Sequence, residues 1–344
     1  MKTGYCYDEL FLRHTYPGHP ESASRLEAIM AGLKESGLHG RLHPIAAAPA
    51  TQAEIARVHT PSYIDQVKRM AERGGGHLDP DTYVNAHSYD AAVLAAGGLL
   101  ALTRAVLEGQ LDNGFALVRP PGHHAVSDRG MGFCLFNNVA IAARDALARP
   151  DVSRVMIVDF DVHHGNGTQD AFADEPDVLF FSTHQYPHYP GSGWLSEIGV
   201  GEGEGTVVNV PLPPGTGDSG FSQVLEQVIW PLARRFDPQF MLVSAGFDAH
   251  WTDPLAMLGL SLAGYAHIAR ELVAMAAESC QGRVVFTLEG GYHLQVLAYG
   301  VRNAFHALLG EQTVSDPIGP SPHPERPIGP WLAEVMQAHH LDLQ

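Results

Sequence analysis

Six short stretches of the chain are apolar at nearly every position. They are "FALVRP" (115–120), "RVMIVDF" (154–160), "VLFFS" (178–182), "TVVNVPL" (206–212), "FMLVSAGF" (240–247) and "VVFTLEGG" (284–291). A strand with one wet face alternates apolar and polar residues, so a strand apolar throughout must be covered on both faces. Strands of this kind belong inside a parallel sheet, and parallel strands need long crossover connections. The Ala/Leu-rich segments 88–109, 137–149, 261–279 and 293–309 have the composition of such helices. The alternation predicts an α/β fold with a single parallel sheet flanked by helices. A chain of 344 residues, 45% hydrophobic, can bury that sheet as one unit.

The punctuation agrees. "TQAE" (51–54) is a capping box, Thr60-Pro61 supplies an N-cap followed by proline at the first helical position, and "GGG" (74–76) ends the helix after it. No internal repeat is present and no linker precedes about residue 312, so 1–312 reads as one domain. Residues 313–344 are rich in Pro, Gly and Ser, with a helical stretch at "WLAEVMQAHH". They read as an extension packed on the domain or at a homo-oligomer contact.

Composition excludes several roles. The net charge is -17, with 38 acidic against 21 basic residues and no Lys/Arg run, which argues against a direct nucleic-acid partner. Cys6, Cys134 and Cys280 are far apart and form no CxxC, so neither a zinc ribbon nor a disulfide framework is implied. The N-terminus lacks the apolar stretch of a signal peptide, and no segment has the length to span a bilayer without charge. The expectation is a soluble, cytoplasmic protein with no membrane partner.

Four of the apolar runs lead into residues that carry chemistry. "FALVRP" leads to His123 and His124, "RVMIVDF" to Asp161 and His163, "FMLVSAGF" to Asp248, and "VVFTLEGG" to Tyr292. In open α/β sheets, sites form beyond the carboxyl ends of the strands. Asp161 and His163 are two apart, so on an extended strand end they face the same way. With Asp248 they make three N/O ligands with an open fourth position, the pattern of catalytic zinc. The same set can take ferrous iron.

"RPPGHHA", "GFCLFNNVAIAA", "DFDVHHGNGTQ", "SAGFDAHWTDPL" and "LEGGYH" occur in this order. Together they resemble the zinc-dependent histone deacetylase family, closer to its class II branch, with its bacterial deacetylase-like amidohydrolases and acetylpolyamine amidohydrolases. The resemblance runs from "HPESASRLEAI" (19–29) to about residue 310. It implies the arginase–deacetylase fold. It implies Asp161, His163 and Asp248 as zinc ligands, His123 and His124 as tandem catalytic histidines, and Tyr292 as the tyrosine that binds the substrate carbonyl. It implies Gly132, Phe133, Tyr189 and Leu255 along the acyl-lysine tunnel. Asp159, Asn166 and Ser182 fall behind the histidines or beside a structural monovalent cation, usually potassium. Asn166 stands where class I members carry aspartate. Asp81 lies where the family can place a rim carboxylate.

The resulting expectation is a zinc-dependent amidohydrolase that removes acetyl or other short acyl groups from acyl-lysine. Zinc polarises the carbonyl and activates water, His124 serves as general base and acid, His123 gives electrostatic support, and Tyr292 donates to the oxyanion. The alternatives are an acetylpolyamine or other small-molecule amide deacetylase on the same fold, an arginase-type ureohydrolase, and an inactive binding module. Polyamine-selective relatives place glutamate seven residues after the third zinc ligand. Leu255 stands there, and a loop would have to bring Asp253 or Glu202 to supply a carboxylate. Gly165 and Gly167 are expected to let the chain turn sharply. His164 is expected to face the core on backbone partners, and His14, His19, His59 and His87 to be surface or capping residues. "GVGEGEG" (199–205) is expected to be a loop without a nucleotide role.

Overall fold

In a computed structural model of the protein, residues 1–341 are described. The strands, in chain order, are β1 (Thr3–Cys6), β2 (His43–Ile45), β3 (Gly75–Asp79), β4 (Thr82–Asn85), β5 (Asn113–Ala116), β6 (Val155–Asp159), β7 (Val178–Gln185), β8 (Val207–Leu212), β9 (Phe240–Ala245) and β10 (Val284–Leu288). Eight of them form one sheet in the order β2-β1-β5-β10-β9-β6-β7-β8, and every pairing in it is parallel. β3 and β4 form a separate antiparallel hairpin.

All six apolar runs overlap strands of this sheet, although β5 already ends at Ala116, inside "FALVRP". β5 through β10 are buried at every position, as strands covered on both faces must be. Each apolar side chain of the Val/Leu/Phe kind removed from water there stabilises the fold by about 1.5–3 kcal/mol. The helices Ser88–Leu107, Asn138–Leu147, Leu262–Ser279 and Leu294–Leu308 cover the faces. Thr51 closes a full capping box with Glu54, and Thr60 caps the helix Pro61–Glu72.

Ser88–Leu107 has the length and apolar composition to cross a membrane, although Asp90 and Arg104 interrupt it. Most of it is buried inside the protein, where the same composition serves a core helix. The glycines at 74–76 do more than stop a helix: Gly74 has φ +97 at its end, and Gly75 and Gly76 begin β3. β1, β2 and the hairpin carry too few apolar residues to stand out by pattern.

The four runs that end in reactive residues belong to β5, β10, β9 and β6, four consecutive neighbours in the sheet. The chain passes from β5 to β6 and later returns to insert β9 and β10 between them, so residues far apart in sequence share one edge. Past β8, the helix Gly329–Ala338 lies against that strand and buries Leu332, Val335 and Met336.

Candidate active site

Asp161, His163 and Asp248 converge beyond β6 and β9. Their ligand atoms all lie within 4.8 Å of one another. β6 ends at Asp159, so Asp161 and His163 are not on an extended strand as the i, i+2 argument assumed. The loop itself brings them together: Asp161 Oδ1 accepts from the His163 backbone N–H at 2.9 Å and lies 3.1 Å from His163 Nδ1. Asp248 Oδ2 lies 3.4 Å from the same ring nitrogen.

The other carboxylate oxygens are tied down. Asp161 Oδ2 accepts from Gly290 N at 2.8 Å, and Asp248 Oδ1 from Val162 N at 3.0 Å. Both carboxylates are fully buried, yet Asp248 Oδ2 has no hydrogen-bond partner. A buried, unpartnered carboxylate oxygen is costly unless something charged meets it. Burial opposes charge on His163, but its close contacts with the Asp161 and Asp248 carboxylates outweigh it and raise its pKa to about 10. The two carboxylates therefore draw positive charge to the point between them, and the donor set fits a divalent cation.

The tandem histidines lie alongside. His123 Nδ1 is 2.9 Å from Asp159 Oδ2, and His124 Nδ1 is 2.8 Å from Asn166 Oδ1. This difference separates them electrically. At His123 burial is outweighed by the Asp159 and Asp161 charges and the Asp159 hydrogen bond, and the pKa rises to about 10. His124 is driven well below its ordinary value by burial and then by the charges of His123 and His163. The two imidazoles are pushed in opposite directions, His123 toward the charged form and His124 toward the neutral one.

A cavity of about 210 Å³ opens over these groups, lined among others by His123, His124, His163, Gly132, Phe133, Tyr189, Leu255 and Tyr292. Phe133 and Tyr292 meet edge to face with centroids 5.9 Å apart, and Tyr189 stands at 87° to the His124 ring. Gly132 has φ +54 and Phe133 φ +69. A Cβ on Gly132 would strike the His124 ring, so only glycine allows this approach. Among the described residues, Asp81 is the one carboxylate that lines the cavity. Neither Asp253 nor Glu202 lines it: Asp253 is buried with both oxygens bonded, and Glu202 is exposed in the turn Gly201–Gly203.

Other expectations need correction. Gly165 has φ -74; it is glycine because a Cβ would collide with the Asp159 carboxylate, not because the turn demands it. His164 is buried as expected, but its partners are the side chains of Ser192 and Gln169 rather than backbone. His14 and His59 are buried core residues. Ser182 pairs in register with Asp159 on the adjacent strand and bonds His184 Nδ1 at 3.0 Å.

Glu289 and Arg25 support the site without having stood out in the sequence, and Asp253 supports it in a role other than the one weighed for it. Glu289 is fully buried and accepts from the backbone N–H groups of Gly122 and His123 at 2.7 and 3.2 Å, holding the histidine turn against β10. His123, Cys134 and Glu289 also bring three donors together. There, however, Glu289 is engaged by amides and Cys134 donates to the Gly132 carbonyl. Arg25, paired with Glu21 one helical turn away, donates to the Gly291 carbonyl at 2.8 Å and lies 5.1 Å from the Tyr292 ring centre. Asp253 bonds the backbone of Tyr292. The available signal was charge inside an apolar context: "LEGG", and a Glu-Arg pair at i, i+4.

Comparison with known proteins places this geometry. A model of the histone deacetylase domain matches residues 19–308. The chain belongs to the histone deacetylase family. Over 298 residues it is 44% identical to a probable deacetylase of Archaeoglobus fulgidus, covering 86% of this chain and 82% of that one. It is 44% identical over 321 residues to the chloroplastic histone deacetylase 14 of Arabidopsis thaliana, covering 88% and 76%. The solved HDA15 HD domain superposes with a TM-score of 0.89 at 38% identity, covering 98% of this chain and 96% of that one. The parallel sheet is that of the arginase–deacetylase fold, and this histone deacetylase family member is a hydrolase that acts on amides.

Proposed function

We propose that the protein is a zinc-dependent deacetylase of acyl-lysine side chains, with Asp161, His163 and Asp248 holding the ion. The observation that carries this reading is the buried, unpartnered Asp248 Oδ2, aimed at the point where Asp161 and His163 converge under the cavity. A bound divalent ion supplies Lewis-acid polarisation of the amide carbonyl and lowers the pKa of water.

The protein's own groups do the rest. His124, neutral and with Nδ1 directed to Asn166, leaves Nε2 to take the proton of the attacking water and return one to the leaving amine. His123, kept charged by Asp159, offsets the developing negative charge. The Tyr292 hydroxyl donates to the tetrahedral oxyanion. Phe133 and Tyr189 flank the lysine stem, and Leu255 forms a further part of the wall. The products are a carboxylate and a free amine.

We assign 1–312 as the catalytic domain and 313–344 as an extension, whose helix Gly329–Ala338 packs on β8. A structural monovalent cation beside Asp159 and Ser182, and a reducing, cytoplasm-like setting for the three free cysteines, belong to the same proposal. A fluorogenic acetyl-lysine peptide tests it: turnover that a chelator abolishes and zinc restores supports the reading. Turnover unaffected by chelation, with no metal bound, overturns it.

A further inference from the structure

Asp253 lies in the same loop as Asp248 but is not one of the converging groups Asp161, His163 and Asp248. It is 6% exposed. Its Oδ1 accepts from the Leu255 backbone N–H at 3.0 Å, and its Oδ2 from the Tyr292 backbone N–H at 2.8 Å. The two donors belong to different loops, one after β9 and one after β10. Leu255 is also held from the other side: its carbonyl lies 3.0 Å from His188 Nε2. The His188 ring stacks on His163 with centroids 5.1 Å apart.

A buried carboxylate is costly unless both oxygens are bonded, and here each has its own donor. We infer that Asp253 is a positioning residue, which fixes the oxyanion donor Tyr292 and the tunnel wall at Leu255 through one carboxylate. The inference rests on the deacetylase reading above. It extends it by joining the chemical step to the width of the tunnel.

The residue type follows from the donors. Asparagine has the same shape but one acceptor, so in Asp253→Asn its NH2 would face one of the two N–H groups. Glutamate is a methylene too long for a filled site. Small displacements at a catalytic group are expensive; about 1 Å can cost on the order of 10²-fold in rate.

The test uses the full, metal-loaded chain and an acetyl-lysine peptide. Asp253→Asn should keep its metal content and lower kcat by about 10- to 100-fold. In a Tyr292→Phe background the same change should lower kcat by less than about twofold, since the hydroxyl it positions is gone. A merely structural role would lower kcat by the same factor in both backgrounds, and that result overturns the assignment. So does an Asp253→Asn enzyme with wild-type kcat and KM. A Tyr292→Phe enzyme with wild-type kcat instead sinks the deacetylase mechanism itself, which is a distinguishable failure. Should Asp253→Asn not fold, hydrogen exchange on the wild-type protein decides. The Leu255 and Tyr292 amide protons should be protected although both lie in loops, and exchange at open-loop rates refutes the clamp.

Discussion

Asn166 Oδ1 accepts from His124 Nδ1 at 2.8 Å, where the neighbouring His123 meets a carboxylate instead. Burial and the charges of His123 and His163 hold His124 below its ordinary pKa, and an amide oxygen orients the ring without adding the charge that would undo this, so its Nε2 is free to accept a proton. Asn166→Asp would place a negative charge at Nδ1 and raise the His124 pKa. The base form would then be lost at higher pH. The acid limb of the kcat/KM profile should move to higher pH in the variant, with activity at pH 6 falling relative to pH 8. Superimposable profiles would mean that His124 does not set this limb.

Removal of the groups themselves gives a larger effect. His124→Ala should lower kcat by about 10²–10⁴-fold, the usual contribution of general acid–base catalysis. Tyr292→Phe should lose about 10²–10³-fold as an oxyanion donor. Both variants should keep their metal, because neither side chain belongs to the converging set Asp161, His163 and Asp248. Near-normal kcat in Tyr292→Phe would remove the tyrosine from the mechanism.

Asp248 carries the metal prediction. Its Oδ1 is committed to Val162 N while its Oδ2 has no partner, so the side chain is positioned but unsatisfied. Purified protein should hold about one divalent ion per chain, and Asp248→Ala should lose it. Elemental analysis decides this independently of activity. Full occupancy in the variant would place the ion elsewhere.

What the sequence made legible, and what it hid, divides along a physical line. Short apolar runs rich in β-branched and aromatic residues fit interior parallel strands, so "RVMIVDF" and "FMLVSAGF" were readable as strands and Asp161 and Asp248 as residues beyond their ends. Sheet order was not readable, because nothing local says that β9 and β10 insert between β5 and β6. Short edge strands such as His43–Ile45 bury too little to leave a pattern. Supporting residues were hidden for a different reason. Glu289 and Asp253 act on backbone amides of distant loops, and an amide leaves no trace in a sequence. The same holds for Gly132 and Gly165, whose need for no side chain comes from His124 and Asp159 across the fold.

His59 makes stability depend on pH. Its Nδ1 lies 2.9 Å from the Val126 carbonyl, and its Nε2 accepts from Asn137 N at 2.8 Å, so both nitrogens are used by the neutral ring. Burial lowers its pKa from 6.5 to about 4. Between those values the unfolded chain takes up a proton that the folded chain refuses. The stability is therefore complete above pH 6.5 and is lost as pH falls toward 4, by about 2 kcal/mol at pH 5. Urea unfolding at pH 8 and pH 5 should show a smaller acid loss for His59→Gln than for the wild type. Equal losses would exclude His59 as a source.

The tunnel wall sets the last prediction. Leu255 lines the cavity with an apolar side chain, and Asp253 beside it spends both oxygens on backbone amides. A polyamine substrate brings a distal ammonium, and stripping water from it without a partner is costly. Asp81, the one rim carboxylate among the described residues that line this cavity, is exposed and keeps water around whatever it meets. The net charge of -17 attracts any cation from afar, but that field is screened within about 8–10 Å in physiological salt and does not distinguish a peptide from a polyamine. An apolar wall instead packs against the methylene stem of acyl-lysine. Acyl-lysine peptides should therefore exceed N8-acetylspermidine in kcat/KM. Leu255→Glu should move the ratio toward the polyamine by up to about fivefold, the worth of one partly exposed ion pair, and high salt should reduce the shift. A wild-type enzyme with higher kcat/KM for acetylated polyamines than for every acyl-lysine peptide tested would reverse the assignment and put the ammonium site at Asp81.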